Sequence, residues 1–469
     1  MATAKEQYSK AKAQEIVWRL ADKLAAAVRP TCLCVGLSGG PDSTLLLYLC
    51  RELCARHVGF SVKAVHCIHG LDADDPIWLA HCQKLCAHLK VKLTVKKLNI
   101  VYQKRISPED SSRQERYRAL LEEVGDGCLC LGHQADDNCE NFFLALKRGS
   151  GPQGLSGMRL VTRDARGLIA RPLLTLSRAQ VEALTQALNL PTVFDISNTY
   201  LKFERNFVRL QVLPLMQTRF AKIKQAVARS QELCALEHDL ALRFIAPQLQ
   251  ARVDDKAVRF DCSGLDFQDE HLCLMLLRSF CQEKLRLPPE LNRLREAIRL
   301  MQGQNGAVGL ISLEDGYTLR RSGNYLYLVP PLHLPKLSPT EQKVGVKLQP
   351  GQTLQSGDFC YSLQEATDDE GLTFSLPTPE LTLIFKAPGQ TMLQPRGRAH
   401  RRSLKKLYGE YHIPSWLRPA LPLFADVSGH TLGLAAAFCC AAADTSGPLY
   451  TLKVYWQTRE QYLNFTSGI

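Results

Sequence analysis

The sequence has 469 residues, a length that corresponds to about three domains. Hydrophobic residues make up 45% of the chain and charged residues 22%, the composition of an ordinary globular protein. The formal net charge of +12 suggests a polyanionic partner without identifying one. No run approaches the roughly 18 apolar residues that a membrane span requires, so we expect a cytoplasmic protein without membrane contact.

The 17 cysteines lie singly within apolar runs, as at Cys32, Cys34, Cys128 and Cys130. The sequence contains no Cys-x-x-Cys, so zinc ribbons and iron–sulfur clusters lack their usual ligand spacing. Reduced, buried thiols in a cytosolic protein are therefore predicted.

An amphipathic helix is predicted over residues 13–28. From residue 31 to about 220, short apolar runs alternate with helical patterns, which predicts βαβ units and a parallel sheet. The strands are predicted at 32–37, 60–68, 92–98 and 127–132, with a further apolar segment at 168–174. The intervening helices are predicted at about 43–57, 76–90, 110–124 and 136–148. Ligands of such sheets bind beyond the carboxyl ends of the strands, so the polar clusters there are the candidate sites.

The first cluster follows the first predicted strand and opens a helix. It consists of Ser38, Gly39, Gly40, Pro41, Asp42 and Ser43. Adjacent glycines, free amide groups and a helix start together predict a phosphate cradle, to which Ser38 and Ser43 add hydroxyl groups. Asp42 would repel phosphates unless a cation intervenes, so we interpret it as a Mg²⁺ contact. An ordinary strand-to-helix turn is the alternative.

Two further clusters follow later strands. His66 and His69 lie three residues apart, but no third metal ligand is evident, so pocket lining or packing is the favoured interpretation. At 109–117, Arg113, Arg116 and Tyr117 lie within about one helical turn and could share a face. Arg113 could bind a phosphate or carboxylate in a bidentate fork. A solvated helix start is the alternative there.

The fourth cluster, at 132–141, contains Asp136, Asp137 and Glu140. Asp137 and Glu140 project from the same side of a helix. An N-terminal capping box, with Asp137 as N-cap and Glu140 at N3, would explain both residues. It would not explain Asp136 or His133, and a carboxylate cluster there could hold Mg²⁺, bind an ammonium group or act as a base.

Beyond Pro214 the patterns become helical. A long helix is predicted over 218–250, and further helices over 264–302. The helical spacing of Leu291, Leu294, Ile298 and Met301 predicts a core stripe. A hairpin follows at 317–328, then a linker at 330–345 and a small β-containing domain. The last domain contains six cations and no acid within eleven residues: Arg396, Arg398, Arg401, Arg402, Lys405 and Lys406. This cluster is interpreted as an RNA phosphate contact, with a solvated face as the alternative.

Several of these motifs resemble a known family. Ser38–Ser43 resembles the PP-loop of the ATP pyrophosphatases, which split ATP into AMP and pyrophosphate. The run His133–Leu155 resembles the signature of the tRNA(Ile)-lysidine synthases, and the resemblance continues through 171–174, 195–198 and 205–214. The departures are Gln134, Asp72 and Ser112, where the family usually has His, Arg and Ala.

The resemblance implies an α/β PP-loop catalytic domain at 1–217, a mainly helical tRNA-contacting domain at 218–335 and an α+β tRNA-binding domain at 346–469. It implies an ATP- and Mg²⁺-dependent ligase that joins lysine to C2 of the wobble cytidine of tRNA(Ile) with a CAU anticodon. Ser38–Ser43 would hold ATP, and Asp42 and Asp136 would hold Mg²⁺. Arg113, Asp137 and Glu140 would bind lysine, with Asp137, Asp42 and Arg113 catalytic. Arg205 and the C-terminal cations would contact tRNA.

Other functions are weighed against this one. A PP-loop tRNA thiolase would need a sulfur-handling cysteine pair, and the missing Cys-x-x-Cys argues against it. An amidotransferase would need an ammonia source, and no region beyond residue 220 supplies one. A non-catalytic RNA-binding protein would not need the intact Ser38–Ser43 loop. A homodimer is the only protein partnership left open.

Overall fold

The protein is described from a computed structural model covering residues 7–68, 74–99, 108–164, 167–194, 199–254, 258–282, 284–285, 289–303, 309–366, 371–443, 447–459 and 461–465. The chain divides into two compact units, Met1–Leu242 and Arg243–Ile469. The boundary lies within a long helix and not near residue 217. The division into three domains therefore stays a prediction.

The first unit contains one six-stranded sheet in the order β3-β2-β1-β4-β6-β5, parallel except for β5. Its strands are β1 (Cys32–Gly36), β2 (Ser61–Ile68), β3 (Lys92–Lys97), β4 (Cys128–Cys130), β5 (Val161–Asp164) and β6 (Gly167–Ala170). Its helices are α1 (Lys10–Ala27), α2 (Pro41–Arg56), α3 (Asp75–Leu89), α4 (Pro108–Val124), α5 (Ala135–Lys147), α6 (Pro152–Leu155), α7 (Arg178–Ala187), α8 (Glu204–Phe207) and α9 (Leu213–Arg219). Helix α10 (Ile223–Arg252) continues into the second unit.

The predicted parallel sheet is confirmed, with strand and helix bounds close to those expected. The antiparallel edge strand β5 was not predicted, because four residues carry too short a pattern. The further apolar segment at 168–174 contributes a strand, β6, which ends at Ala170. Pro172 follows soon after, and a proline cannot donate a hydrogen bond to a neighbouring strand.

The sheet is buried on both faces, as a parallel sheet requires. Leu33 and Val35 of β1 pack into the larger core, which α1, α2, α3 and α7 also line. Cys34, between them, points to the other face and packs with Leu120 and Val124 of α4. This alternation between two buried faces explains why β1 is a continuous apolar run. The parallel pairing of β1 with β4 places the carboxyl ends of these two strands side by side.

The second unit consists mainly of antiparallel sheets. Its strands are β7 (Val253–Asp254), β8 (Arg259–Asp261), β9 (Leu310–Ser312), β10 (Thr318–Ser322), β11 (Tyr325–Val329), β12 (Val346–Leu348), β13 (Thr353–Ser356), β14 (Phe359–Glu365), β15 (Leu372–Ser375), β16 (Leu381–Ile384), β17 (Met392–Leu393), β18 (Arg402–Ser403), β19 (Leu423–Ala425), β20 (Thr431–Leu434), β21 (Phe438–Cys439), β22 (Leu449–Trp456) and β23 (Gln461–Tyr462). Its helices are α11 (Glu270–Gln282), α12 (Leu291–Gln302), α13 (Pro339–Val344) and α14 (Leu404–Glu410).

The predicted hairpin is confirmed: β10 and β11 pair around Gly323 and Asn324, and Gly323 has a φ of +58°.

The description of 218–335 as mainly helical was incomplete, because β7 to β11 form a five-stranded sheet beside α11 and α12. Leu291 was wrongly placed in the core stripe. It is the first residue of α12 and 46% exposed, since the inward face begins at Leu294. The predicted linker contains α13.

Within the part of the chain that the structure describes, no helix combines the length and apolar character needed to cross a bilayer. All 17 cysteines are free thiols, and most are buried. Burial raises the pKa of the Cys34 thiol to about 12, so it stays protonated at neutral pH.

Candidate active site

The loop between β1 and α2 forms a tight turn at the sheet edge. Gly39 has a φ of +89°, and a Cβ there would lie 3.0 Å from Val193 Cγ2 and 3.1 Å from His81 Cδ2. Glycine is therefore required on conformational and steric grounds. Helix α2 begins at Pro41, after Gly40, and no side chain caps it. These features support the cradle expected from the sequence.

The hydroxyl group of Ser43 occupies the centre of this loop. Its oxygen accepts hydrogen bonds from the backbone amides of Ser38, at 3.2 Å, and Gly39, at 3.1 Å. The same hydroxyl lies 3.1 Å from the carbonyl oxygen of Gly40, to which it donates, and 3.1 Å from Ser38 Oγ. A phosphate oxygen that binds these two amides must displace Ser43 Oγ from them.

The turn after β4 lies against the start of α2. A Cβ at Gly132 would lie 3.0 Å from the carbonyl carbon of Asp42 and 3.2 Å from the amide nitrogen of Ser43. Only glycine permits this approach, because the contacting atoms belong to the backbone and cannot move aside. The first and fourth polar clusters of the sequence are thus neighbours.

Asp42 lies in the first turn of α2, and its Oδ1 atom is buried without a hydrogen-bond partner. Burial and the nearby Asp137 carboxylate raise the pKa of Asp42 to about 7. A buried carboxylate oxygen that lacks a partner is a suitable ligand for a hard cation. Among the described residues, no group of three His, Cys, Asp or Glu side chains is arranged to hold a metal. Phosphate oxygens would have to complete the coordination.

Both carboxylate oxygens of Asp136 already have partners. Oδ2 accepts a hydrogen bond from the backbone amide of Arg178 at 2.7 Å, and Oδ1 forms an ion pair with Lys224. Burial alone would raise the pKa of Asp136, but these two bonds outweigh it and lower the pKa. The assignment of Asp136 to a metal stays a prediction, and it would require Lys224 to move.

The start of α5 differs from the capping box that the sequence suggested. Gln134 is the N-cap, and its Oε1 accepts a hydrogen bond from the Asp136 amide at 2.6 Å. Asp137 is at N3, and its Oδ2 accepts from the Gln134 amide at 3.0 Å. Placing Asp137 at the N-cap was therefore wrong, because the helix starts three residues earlier than that box requires. Glu140 takes no part in the cap.

Three arginines surround the Asp137 and Glu140 carboxylates. Glu140 is fully buried, and its oxygens accept hydrogen bonds from Arg205 Nε at 2.8 Å and Arg209 Nε at 2.7 Å. Oδ1 of Asp137 lies 3.5 Å from Arg209 Nη2 and 3.8 Å from Arg178 Nη2. A buried carboxylate requires such pairing, because an unpaired buried charge is strongly unfavourable.

Arg178 and Arg209 were not expected in the site. The available signal was the spacing of Arg205 and Arg209, which places both on one side of a helical segment. Arg209 lies in a π-helical turn, residues Val208–Val212, a rare conformation often found at functional sites. Arg205 was expected to contact tRNA. Its guanidinium group instead binds Glu140 in this structure, and the tRNA role stays a prediction.

Arg113 and His133 lie at the same edge of the sheet. The Arg113 guanidinium stacks on the Tyr117 ring, 5.9 Å from its centre, on the face predicted for both. Burial and nearby arginines, first Arg171 and also Arg205 and Arg113, lower the pKa of His133 to about 3. The His133 ring is therefore neutral at physiological pH, and its buried Nδ1 has no hydrogen-bond partner.

His66 packs behind the loop, as the sequence favoured. Its Nδ1 lies 2.8 Å from the carbonyl oxygen of Leu37. His69, Asp72 and the motif at 195–198 lie outside the described residues.

The C-terminal cations lie in the second unit, around α14. The exposed members are Arg396, Arg401, Arg402, Lys405 and Lys406. Arg398 is half-buried, and its Nη1 lies 3.2 Å from Glu410 Oε2. The chain thus presents clustered positive charge to solvent, as a phosphate-binding surface requires.

Comparisons with known proteins show the family of the chain. Residues 12–216 match the PP-loop domain family, and residues 381–456 match the TilS substrate C-terminal domain family. The chain is 32% identical over 423 residues to the tRNA(Ile)-lysidine synthase of Vibrio atlanticus, covering 86% of this chain and 91% of that protein. It is 35% identical over 399 residues to the enzyme of that name from Vibrio cholerae O395, covering 83% and 87%.

Among solved structures, the U34-tRNA thiolase NcsA from Methanococcus maripaludis matches with 19% identity and a TM-score of 0.42. The matched region covers 49% of this chain and 82% of the thiolase chain, and the likeness is too slight to support an argument. The family is decided by the two matching domain families and by the relatives that match over most of their length. The chain belongs to the tRNA(Ile)-lysidine synthase family, whose members are ATP-dependent PP-loop ligases.

Proposed function

We propose that this protein joins lysine to C2 of the wobble cytidine of tRNA(Ile) with a CAU anticodon, at the cost of ATP. The observation that carries the proposal is the pair of carboxylates, Asp137 and Glu140, on α5, because the turn before this helix contacts the PP-loop at Gly132. Family membership supports the reaction class, and the relatives carry tRNA(Ile) in their names.

In the first step, the C2 oxygen of cytidine attacks the α-phosphorus of ATP. An oxygen–phosphorus bond forms, the bond between the α- and β-phosphates breaks, and pyrophosphate leaves. Ser38, Gly39, Gly40, Pro41, Asp42 and Ser43 would line the phosphate site. The Ser43 hydroxyl would turn away from the loop amides, which then donate to the phosphate.

Magnesium fits this site through Asp42, whose buried Oδ1 lacks a partner. When bound, the cation would neutralise charge on the phosphates and the leaving pyrophosphate. Asp42 must be ionised to hold it, and its raised pKa places that ionisation near pH 7. Asp136 could contribute only after its ion pair with Lys224 opens.

In the second step, the side-chain amine of lysine attacks C2, and the carbon–oxygen bond to AMP breaks. The amine must lose a proton, and Asp137 is the proposed acceptor. Glu140 is fully buried and saturated by two guanidinium groups, whereas the contacts of Asp137 Oδ1 with arginine are longer. Asp137 is therefore the more accessible carboxylate, and Glu140 would bind lysine by exchanging an arginine partner. Arg113 would bind the lysine carboxylate.

A tRNA thiolase is the alternative function, and it has less support. The chain has no Cys-x-x-Cys, and no observation on the fold favours sulfur transfer. The cytoplasmic location and the homodimer stay predictions.

One assay tests the proposal. The protein is incubated with ATP, Mg²⁺, labelled lysine and CAU-anticodon tRNA(Ile), with the same tRNA carrying a UAU anticodon as the matched control. We expect label in the first RNA alone, released as lysidine on digestion. Absence of lysine label, together with label from a sulfur donor, would contradict the proposal and favour the thiolase.

A further inference from the structure

The corner between α9 and α10 forms an open depression of about 540 Å³. Ile223, one of its lining residues, packs against the apolar cluster that contains Cys139 of α5. Met216, Phe220, Ile223 and Ala226 supply apolar walls, and Lys222 and Arg229 add positive charge. No residue of this depression has a role in the two catalytic steps.

The Phe220 ring is 58% exposed, although large aromatic side chains are usually buried. Phe220 is the C-cap of α9. Its carbonyl oxygen accepts a hydrogen bond from the backbone amide of Ile223 at 2.9 Å, which stabilises the short turn between the two helices. The backbone at this position is thus ordered by hydrogen bonds, while the ring remains open to a partner.

The surrounding sequence is strongly basic. Residues 205–231 contain six cations and no acidic residue. Of these, Arg219, Lys222 and Arg229 are exposed and lie close in sequence to Phe220. An exposed aromatic ring among cations is the arrangement that binds single-stranded nucleic acid, with a base stacked on the ring and phosphates near the cations. A second protein chain would be a poor partner unless it were acidic.

The depression is also tied to the catalytic centre. Lys224, in the first turn of α10, forms an ion pair with Asp136 at the start of α5. Lys222 and Ile223 of the depression immediately precede it. RNA bound here would therefore lie close to the ion pair of Lys224 with Asp136, the residue that precedes Asp137 in α5.

We propose that the α9–α10 corner binds an anticodon-loop nucleotide next to the wobble cytidine, with its base on Phe220 and its phosphates at Lys222 and Arg229. The proposal rests on the proposed function for the identity of the RNA. It adds a subsite that orients the loop while the target base enters the catalytic centre.

The test compares Phe220→Ala, Phe220→Trp and Leu215→Ala. Leu215 is a matched control, because it is 72% exposed on α9 but does not line the depression. Phe220→Ala should raise KM for tRNA at least about five-fold, the loss expected for one stacked base, with KM for ATP unchanged. Phe220→Trp keeps an aromatic ring and should retain tRNA binding, and Leu215→Ala should leave tRNA binding unaltered.

Affinity for a CAU stem-loop RNA, measured without ATP or lysine, separates this proposal from the proposed function. Loop binding that depends on Phe220 would support the subsite even if the wild-type protein incorporated no lysine. Active wild-type enzyme with an unchanged tRNA KM in Phe220→Ala would overturn it. An altered oligomeric state in Phe220→Ala with normal loop affinity would also overturn it, and would indicate an interface between copies.

Discussion

Arg209 Nε donates a hydrogen bond to Glu140 Oε1 at 2.7 Å, and the two residues are 69 positions apart in the chain. The bond joins the π-helical turn near the end of the PP-loop domain to the helix that follows β4. The position of the Glu140 carboxylate therefore depends on a chain segment far from it in sequence.

The buried Glu140 charge leads to a stability prediction. Glu140→Gln should lower the free energy of unfolding by about 3–5 kcal/mol, because Arg205 and Arg209 lose a buried counter-charge. Urea denaturation, monitored by circular dichroism, measures the change. Glu15→Gln is the control, since Glu15 forms an exposed ion pair with Lys12 and should matter little. Equal midpoints for the two variants would contradict the prediction.

Asp137→Asn should lower kcat at least about 100-fold, because the amide cannot accept the proton of the attacking amine. KM for ATP should change little, since Asp137 is not part of the loop at 38–43. Lysine incorporation at saturating ATP measures both parameters. Asp126→Asn, at an exposed site, is the control variant. Undiminished turnover in Asp137→Asn would exclude the assigned role.

Asp42 and Asp136 should affect stability with opposite pH dependence. The pKa of Asp42 is raised to about 7, so its folded form holds a proton that the unfolded chain releases near pH 4. The native state is thus penalised as pH rises from about 4 to 7, and Asp42→Asn should raise Tm at pH 8 but not at pH 4.

The pKa of Asp136 is lowered, so its contribution is present above the unfolded pKa and is lost as pH falls. Asp136→Asn should therefore lower Tm at pH 8, with a smaller effect in acid. Thermal unfolding without nucleotide or metal at both pH values checks the pair. Tm shifts of the same sign at pH 8 in the two variants would contradict the opposite pKa directions of Asp42 and Asp136.

The C-terminal cations should contribute through phosphate contacts. The double variant Lys405→Gln, Lys406→Gln should reduce the slope of log affinity against log salt by about 1.4–1.8, if each lysine neutralises one phosphate. Filter binding of tRNA across a salt series measures the slope. Lys347→Gln is the control, because Lys347 is paired with Glu380 in the same unit. An unaltered slope in the double variant would indicate a merely solvated face.

The local elements were predictable because their patterns are strong. The apolar run of β1 and the glycines at 39 and 40 are visible in the sequence, and the structure has a strand and a turn there. The α5 cap was mispredicted because both Gln134 and Asp137 can begin a helix, and only backbone geometry separates them.

The sequence by itself determined the parallel sheet, the PP-loop, the family and the presence of Asp137 and Glu140 on one helix face. These properties depend on local periodicity and on residues close together in the chain. The tertiary structure alone decided that Arg178, Arg205 and Arg209 neutralise those carboxylates and that Lys224 holds Asp136. Ion pairs between segments that are far apart in the chain produce no regular spacing of residues in the sequence, because only the packing of the helices brings the charges together.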